Sequence, residues 1–164
     1  MNKAFTSLET SVTQFIQEME STEKKIGQLE KKISTLRKEL EPLEVTILDT
    51  ASKLREVEHT LHQKLNKVKR TRKLYLSAKT ESQLKMYEKD YNQLMKEVHR
   101  LDKAYHELKE KYDKLVQKEE KLLQKEFTLE SEKTELYHTR EKMMKLATQV
   151  MNRLSSKINR TRNA

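Results

Sequence analysis

The sequence contains no cysteine and no tryptophan, and only one glycine (Gly27) and one proline (Pro42) among 164 residues. Without cysteine the chain has no disulfide, no thiolate zinc site and no cysteine nucleophile. Because glycine and proline are the residues that most favour turns, their scarcity predicts few turns. The few aromatic residues argue against a thick globular core. This composition excludes collagen, β-sandwiches, barrels and doubly wound sheets, and it disfavours a self-contained enzyme pocket.

Long hydrophobic runs are also missing. No apolar stretch approaches the roughly 18 residues that a membrane-spanning helix requires. The first fifteen residues lack a basic segment followed by a continuous apolar run, so we expect no signal peptide. The sequence predicts a cytoplasmic protein.

Charge and helix-forming residues dominate what remains. Ala, Glu, Lys, Leu and Arg make up about half of the chain, as in long helices and coiled coils. The net charge is +9, and it is concentrated in two acid-free segments. Residues 59–80 hold seven lysines and arginines, and residues 142–164 hold six. Such local basic charge indicates either a contact surface for an acidic partner or a solvated helix face.

The first half of the chain follows a strict heptad repeat, in which the core positions are called a and d. Every a position from Phe5 to Tyr75 is apolar or aromatic, and most d positions up to Val57 are apolar. A repeat of this length predicts a supercoiled helix that packs against a partner helix. Pro42 lies inside the repeat, and we favour a kinked continuous helix over a break near Glu41.

The second half has its own heptad phase, with leucine at seven consecutive d positions from Leu94 to Leu136. The phase changes between Tyr75 and Leu84, where the chain is also basic. These features predict an all-α fold, a long antiparallel two-helix coiled-coil hairpin. The alternative is an extended parallel homodimeric coiled coil, because the segment around the phase change contains no Gly, Pro or Asn.

The predicted organisation has four parts: a first arm over residues 1–71, a basic tip over 72–81, a second arm over 82–158 and a frayed tail over 159–164. Capping boxes are expected at Thr6–Glu9 and Thr80–Gln83. From Glu119 to Arg140 the a positions are charged. We therefore expect residues 117–140 to be the least stable part of the coil, and the place where paired hairpins would meet if the chain is dimeric.

Two segments are candidate partner-binding sites. The tip combines bases with one aromatic residue, and the C-terminal segment is a basic, methionine-rich amphipathic helix. That helix could instead cover the coiled-coil core beside the N-terminus. The candidate residues are Lys69, Arg70, Arg72, Lys73 and Tyr75 at the tip, and Met143, Met144, Val150, Met151, Arg153 and Lys157 in the C-terminal segment.

No catalytic, cofactor-binding or metal-binding residues are predicted. His59 and His62 are three residues apart but have no third ligand nearby in the sequence. No glycine-rich phosphate loop, HExxH or GxSxG motif is present. We expect a protein that is not an enzyme and has no cofactor.

The basic chain with two long heptad arms around a mid-chain break resembles the stalk proteins of bacterial flagellar and type III secretion export machines (the FliJ/YscO group). That resemblance implies an antiparallel hairpin that engages an export ATPase or chaperones. The opening residues MNKAFTSLETS differ from the usual start of that group. The segment VKRTRKLYLSAKTESQL, through Val68, Lys69, Tyr75 and Glu81, is also similar to the coiled-coil half of bacterial zinc-ribbon hairpin proteins. The lack of cysteine excludes their metal function here.

The leading functional hypothesis is therefore a non-enzymatic scaffold or adaptor that binds protein partners with an acidic surface. The alternatives are a coiled coil that binds nucleic acid or an anionic membrane surface, and a homodimeric tether. The chain would be a monomeric hairpin or a homodimer.

Overall fold

The computed structural model describes residues 2–162, with side chains from Thr6 onward. Helix α1 spans Asn2–Ser77 and helix α2 spans Glu81–Arg162. The helices pack against each other in opposite directions, as contacts such as Lys64–Glu97 and Arg37–Glu126 require. The all-α hairpin prediction is confirmed, and the extended parallel arrangement is wrong because the chain turns back on itself.

The turn is shorter than the predicted tip. Helix α1 continues past residue 71 to Ser77, and only Ala78, Lys79 and Thr80 connect it to α2. The Ala78 N–H donates to the Tyr75 carbonyl at 3.3 Å, which closes the last turn of α1. Among the described residues none has a positive φ, so the chain reverses direction without needing a glycine.

The predicted cap at Thr80–Gln83 is present. The Gln83 N–H donates to Thr80 Oγ1 at 3.2 Å, and the Gln83 side chain accepts from the Lys79 N–H at 3.3 Å. In a standard capping box the side chain at the position of Gln83 accepts from the N–H of the cap residue itself. Here it accepts from the N–H of the residue before the cap. The cap predicted at Thr6–Glu9 is wrong, because α1 begins at Asn2 and both residues lie inside the helix.

Contacts divide the chain into two compact units, and each unit contains part of both helices. The first unit contains residues 1–39 and 122–164, and the second contains residues 40–121. Each unit needs both helices because a single amphipathic helix cannot bury its apolar side without the helix opposite.

Burial follows the predicted a and d positions within each unit. The half-buried residues at these positions run from Phe15 to Thr71 in α1 and from Leu84 to Ala147 in α2. The buried ones are Thr22, Ile26, Leu29, Ile33 and Leu122 in the first unit, and Leu40, Leu43, Ile47, Thr50 and Val98 in the second. The a position predicted at Phe5 lies outside the described side chains.

Pro42 lies within a continuous α1, as the favoured reading expected. The residue is exposed, so its ring packs on the solvent side of the helix. Proline has no N–H, and the helix therefore lacks one backbone hydrogen bond at this point. The Thr46 hydroxyl donates to the Pro42 carbonyl at 2.9 Å.

The C-terminal end of α2 is helical to Arg162, so residues 159–162 of the predicted tail belong to the helix. Residues 163 and 164 lie outside the described range. Every residue from 148 to 162 is exposed.

Candidate partner-binding surfaces

The basic tip is an exposed surface near the end of α1. Lys69, Arg70, Arg72 and Lys73 are all exposed, and within the described residues none of them forms an ion pair. Tyr75 is partly exposed next to Leu74 and Leu76. The tip therefore presents apolar side chains together with bases that form no ion pair. The sequence analysis named Tyr75 but not the two leucines.

Acidic side chains of α2 partly offset the positive charge of the tip on one side. A shallow groove in the second unit has Lys67 and Arg70 on its α1 wall, and Asp90 and Glu97 on its α2 wall. Lys64 lies in the same groove and binds Glu97, with 2.7 Å between Nζ and Oε2. The hydrogen bond and charge of Lys64 lower the pKa of Glu97 below its ordinary value of 4.5.

The C-terminal candidates divide between the helix–helix seam and solvent. Met143 is half-buried in the seam, as is Ala147 one turn later. Met144, Val150 and Met151 are exposed, as are Leu146, Leu154 and Ile158. The opposite end of α1 offers little cover, because Leu8, Val12 and Ile16 are exposed too. Beyond Ala147 this segment therefore leaves its apolar side chains largely exposed.

Bases and apolar residues alternate along this exposed end of α2. One face of the helix presents Val150 and Leu154 together with Arg153, Lys157 and Arg160, and we call these five residues the C-terminal basic surface. Among the described residues, none of its three bases forms an ion pair. The surface contains no acidic side chain, so it has a uniform positive charge next to apolar contact area.

A cross-helix polar network occupies the stretch where the a positions of α2 are charged. Arg37 Nε lies 3.3 Å from Glu126 Oε1, and Arg37 Nη2 lies 3.1 Å from Glu130 Oε1. Tyr137 donates its hydroxyl to Glu30 Oε1 at 2.7 Å. This hydrogen bond raises the pKa of Tyr137, because it stabilises the protonated phenol.

The same network continues through two cations. Lys133 Nζ lies 3.9 Å from Glu30, and the Arg140 guanidinium stacks over the Tyr137 ring at 4.7 Å. The charged a positions Glu126, Lys133 and Arg140 thus each have a contact within the same chain. That paired hairpins would meet at these positions stays a prediction. The sequence analysis did not predict these contacts. Acidic Glu30 and basic Arg37 in α1 could have indicated pairing with residues of the opposite charge in α2.

No arrangement for metal binding occurs in the part of the chain that the structure describes: no group of three or more His, Cys, Asp or Glu side chains converges. His59 and His62 are exposed, and His59 Nε2 lies 3.2 Å from the Gln63 amide nitrogen.

Comparison of the chain with protein-family models, curated proteins and solved structures found no match. Among the described helices, none combines the length and apolar character needed to cross a membrane. The geometry defines a two-helix hairpin in which the C-terminal part of each helix presents exposed bases beside exposed apolar side chains.

Proposed function

We propose that this chain is a non-enzymatic coiled-coil adaptor that binds an acidic protein partner through its C-terminal basic surface. The observation that carries the proposal is the exposed end of α2, where Val150 and Leu154 lie beside unpaired Arg153, Lys157 and Arg160. Apolar side chains at an interface supply affinity, whereas the surrounding charges select the partner and speed its association.

An acidic amphipathic helix matches this surface best. Its apolar side would cover Val150 and Leu154, and its carboxylates would pair with the flanking bases. An arginine in such a pair binds a carboxylate through two parallel hydrogen bonds, which adds geometric selectivity. The basic tip is a second contact of the same kind, supported by exposed Leu76 next to unpaired Arg72 and Lys73.

The concrete form of the adaptor is a secretion stalk in the cytoplasm that engages an export ATPase or its chaperones. This part rests on the resemblance of the whole chain to the stalk group, together with the hairpin fold that both share. It is tested separately, by coprecipitation with a purified flagellar or type III export ATPase. Failure to bind would remove the stalk form and leave the adaptor proposal in place.

The adaptor proposal is tested with three defined probes: a helical peptide of Leu and Glu repeats, single-stranded polyuridylate, and vesicles that contain phosphatidylserine. We expect the peptide to bind and the triple variant R153E, K157E and R160E to weaken its affinity at least about tenfold. A matched control variant, K103E, K111E and K118E, makes the same charge change at exposed positions of α2 in the second unit and should bind normally.

Two outcomes would contradict the adaptor. Equal loss of affinity in both triple variants would show a response to net charge rather than to the C-terminal basic surface. Steeply salt-dependent binding of polyuridylate or vesicles without peptide binding would favour the nucleic-acid or membrane alternative.

A further inference from the structure

The seam register of the first unit identifies the part of α1 that lies opposite the C-terminal basic surface. Glu30 lies 3.9 Å from Lys133, an a position of α2, so the d position Leu29 beside Glu30 is at the level of Lys133. Equal steps along two antiparallel helices keep facing residues at a common level. Three heptads further along both helices, this register places Leu8 opposite Leu154.

The two seam layers at this level are only half covered. The layer next to Leu8 and Leu154 places Val12 opposite Val150. The exposed fractions of these four side chains lie between 43% and 50%, whereas Thr22, deeper in the seam, is buried. Half-covered layers contribute little to stability, so this part of the seam opens at a low cost in free energy. Because Val150 and Leu154 are the apolar residues of the C-terminal basic surface, α1 contains the side chains that would cover them.

The start of α1 also has the opposite charge. Between Lys3 and Lys24 the chain contains no base and four glutamates, which are Glu9, Glu18, Glu20 and Glu23. All four are exposed, and within the described residues none of them forms an ion pair. We call residues 6–23 the N-terminal acidic segment. The segment is helical, acidic and apolar on its seam side, which is the chemistry that the adaptor proposal assigns to the partner.

One flank of the seam shows what this segment does not supply. Arg37 and Glu130 are both e positions and are 3.1 Å apart, so the e positions of the two helices share one side and the g positions share the other. Arg153 and Arg160 are g positions, and the g position of α1 nearest Arg153 in this register is the uncharged Ser11. A partner helix with a carboxylate at that place gains an ion pair that the chain's own segment lacks.

We propose that the N-terminal acidic segment is an autoinhibitory cover of the C-terminal basic surface, which an acidic partner helix displaces. In the closed state Leu8 and Val12 cover Leu154 and Val150, and in the open state the partner takes their place. The cover reduces the apparent affinity of the surface in proportion to the fraction of chains that are open. This inference rests on the adaptor proposal, because it concerns the regulation of the same surface.

The affinity for the helical peptide of Leu and Glu repeats measures the cover. The double variant L8S and V12S weakens the closed state and leaves the C-terminal basic surface unchanged. We expect it to bind the peptide about three- to tenfold more tightly than the native chain does. The control variant V45S and L48S makes the same types of substitution at exposed positions of α1 in the second unit, and its affinity should equal that of the native chain.

A variant with the opposite effect tests the flank of the seam. S11E supplies the missing carboxylate near Arg153, so it should strengthen the cover and weaken peptide binding by about three- to tenfold. The control S7E adds the same charge one turn away, at an exposed c position that faces away from the seam. It should change the affinity little.

A distance between two spin labels gives a readout that does not depend on affinity. The chain contains no cysteine, so T10C and N152C are labelled selectively. Both are exposed f positions, one in each segment. Saturating peptide should lengthen the distance between the labels, and L8S and V12S should lengthen it without peptide, while circular dichroism shows that the helices remain.

The outcomes separate this inference from the adaptor proposal. Equal peptide affinity of the native chain and of L8S and V12S would overturn the cover and leave the adaptor in place. Weaker binding by that variant would also overturn the cover, because the segment would then help to bind the peptide. So would a label distance that bound peptide leaves unchanged. If no variant binds the peptide, the adaptor proposal fails, and the cover fails with it.

Discussion

Two buried threonines illustrate how single residues fit the seam. Thr22 and Thr50 occupy d positions where leucine is usual. Each hydroxyl donates at 2.8 Å to the carbonyl four residues earlier, of Glu18 and Thr46 respectively. Their burial therefore leaves no hydroxyl unpaired, which avoids the cost of about 1–3 kcal/mol for an unsatisfied buried group.

The charged pair Lys64–Glu97 predicts a pH dependence of stability. The pKa of Glu97 lies below 4.5 because of Lys64, so the folded state keeps this carboxylate ionised at pH values where the unfolded chain is protonated. The stabilisation is fully present above pH 4.5 and is lost as the pH falls through the lowered pKa. We expect K64M to lower the thermal midpoint more at about pH 7 than at about pH 3.

Thermal unfolding followed by circular dichroism at the two pH values measures this difference. The control K114M removes an exposed ion pair with Glu110 inside α2, which contributes little to stability. An equal effect of K64M at both pH values would mean that the lysine acts through packing of its aliphatic stem and not through Glu97.

At the scale of elements, each helix is long because its heptad pattern is continuous and its interior contains few residues that break helices. Helix α1 tolerates Pro42 because the ring is on the exposed side and the seam residues Leu40 and Leu43 remain buried. Helix α2 starts at Glu81, directly after the Thr80 cap, and its acidic first residue complements the helix dipole.

Replacing Pro42 should stabilise α1. Alanine restores the missing backbone donor and has a far better helix propensity, so P42A should raise the free energy of unfolding by about 1–3 kcal/mol. Urea denaturation measures this change. The control E41A alters an exposed neighbour that already has a backbone donor, and it should have little effect. A destabilised P42A would indicate that the seam requires the backbone geometry that proline imposes.

At the scale of the whole molecule, connectivity makes the hairpin intramolecular. Three residues connect helices α1 and α2, which pack against each other. The cost of closing a longer connection increases only slowly with its length, by about 0.6 kcal/mol for each doubling. The seam, and not the turn sequence, should therefore hold the helices together.

Insertion of a short Gly-Ser segment after Lys79 tests this expectation. The variant should keep its helical content and lose only about 1 kcal/mol of stability in urea denaturation. An insertion after Ser52, inside α1, is the matched control; it shifts the heptad register and should be strongly destabilising. If the turn insertion is as damaging, the bonds around Thr80 and Gln83 contribute more than the seam.

Much of the fold was predictable because burial in a coiled coil follows a seven-residue period. The core residues Ile26, Ile33 and Val98 follow from the heptads, and the cap at Thr80 follows from its local pattern. The site was predictable only in part. The sequence indicated bases at the tip and at the C-terminal end, but their exposure depends on whether another helix covers them.

By itself, the sequence determined the class of fold, the two heptad phases and the positions of the two basic segments, because each of these depends on local spacing along one helix. The tertiary structure decided the register between the helices, and with it the pairing of Arg37 with Glu126 and Glu130. It also decided which apolar residues remain exposed near the start of α1 and the end of α2. Register joins residues about a hundred positions apart, and only the packing of both helices fixes which of them share a level and a side.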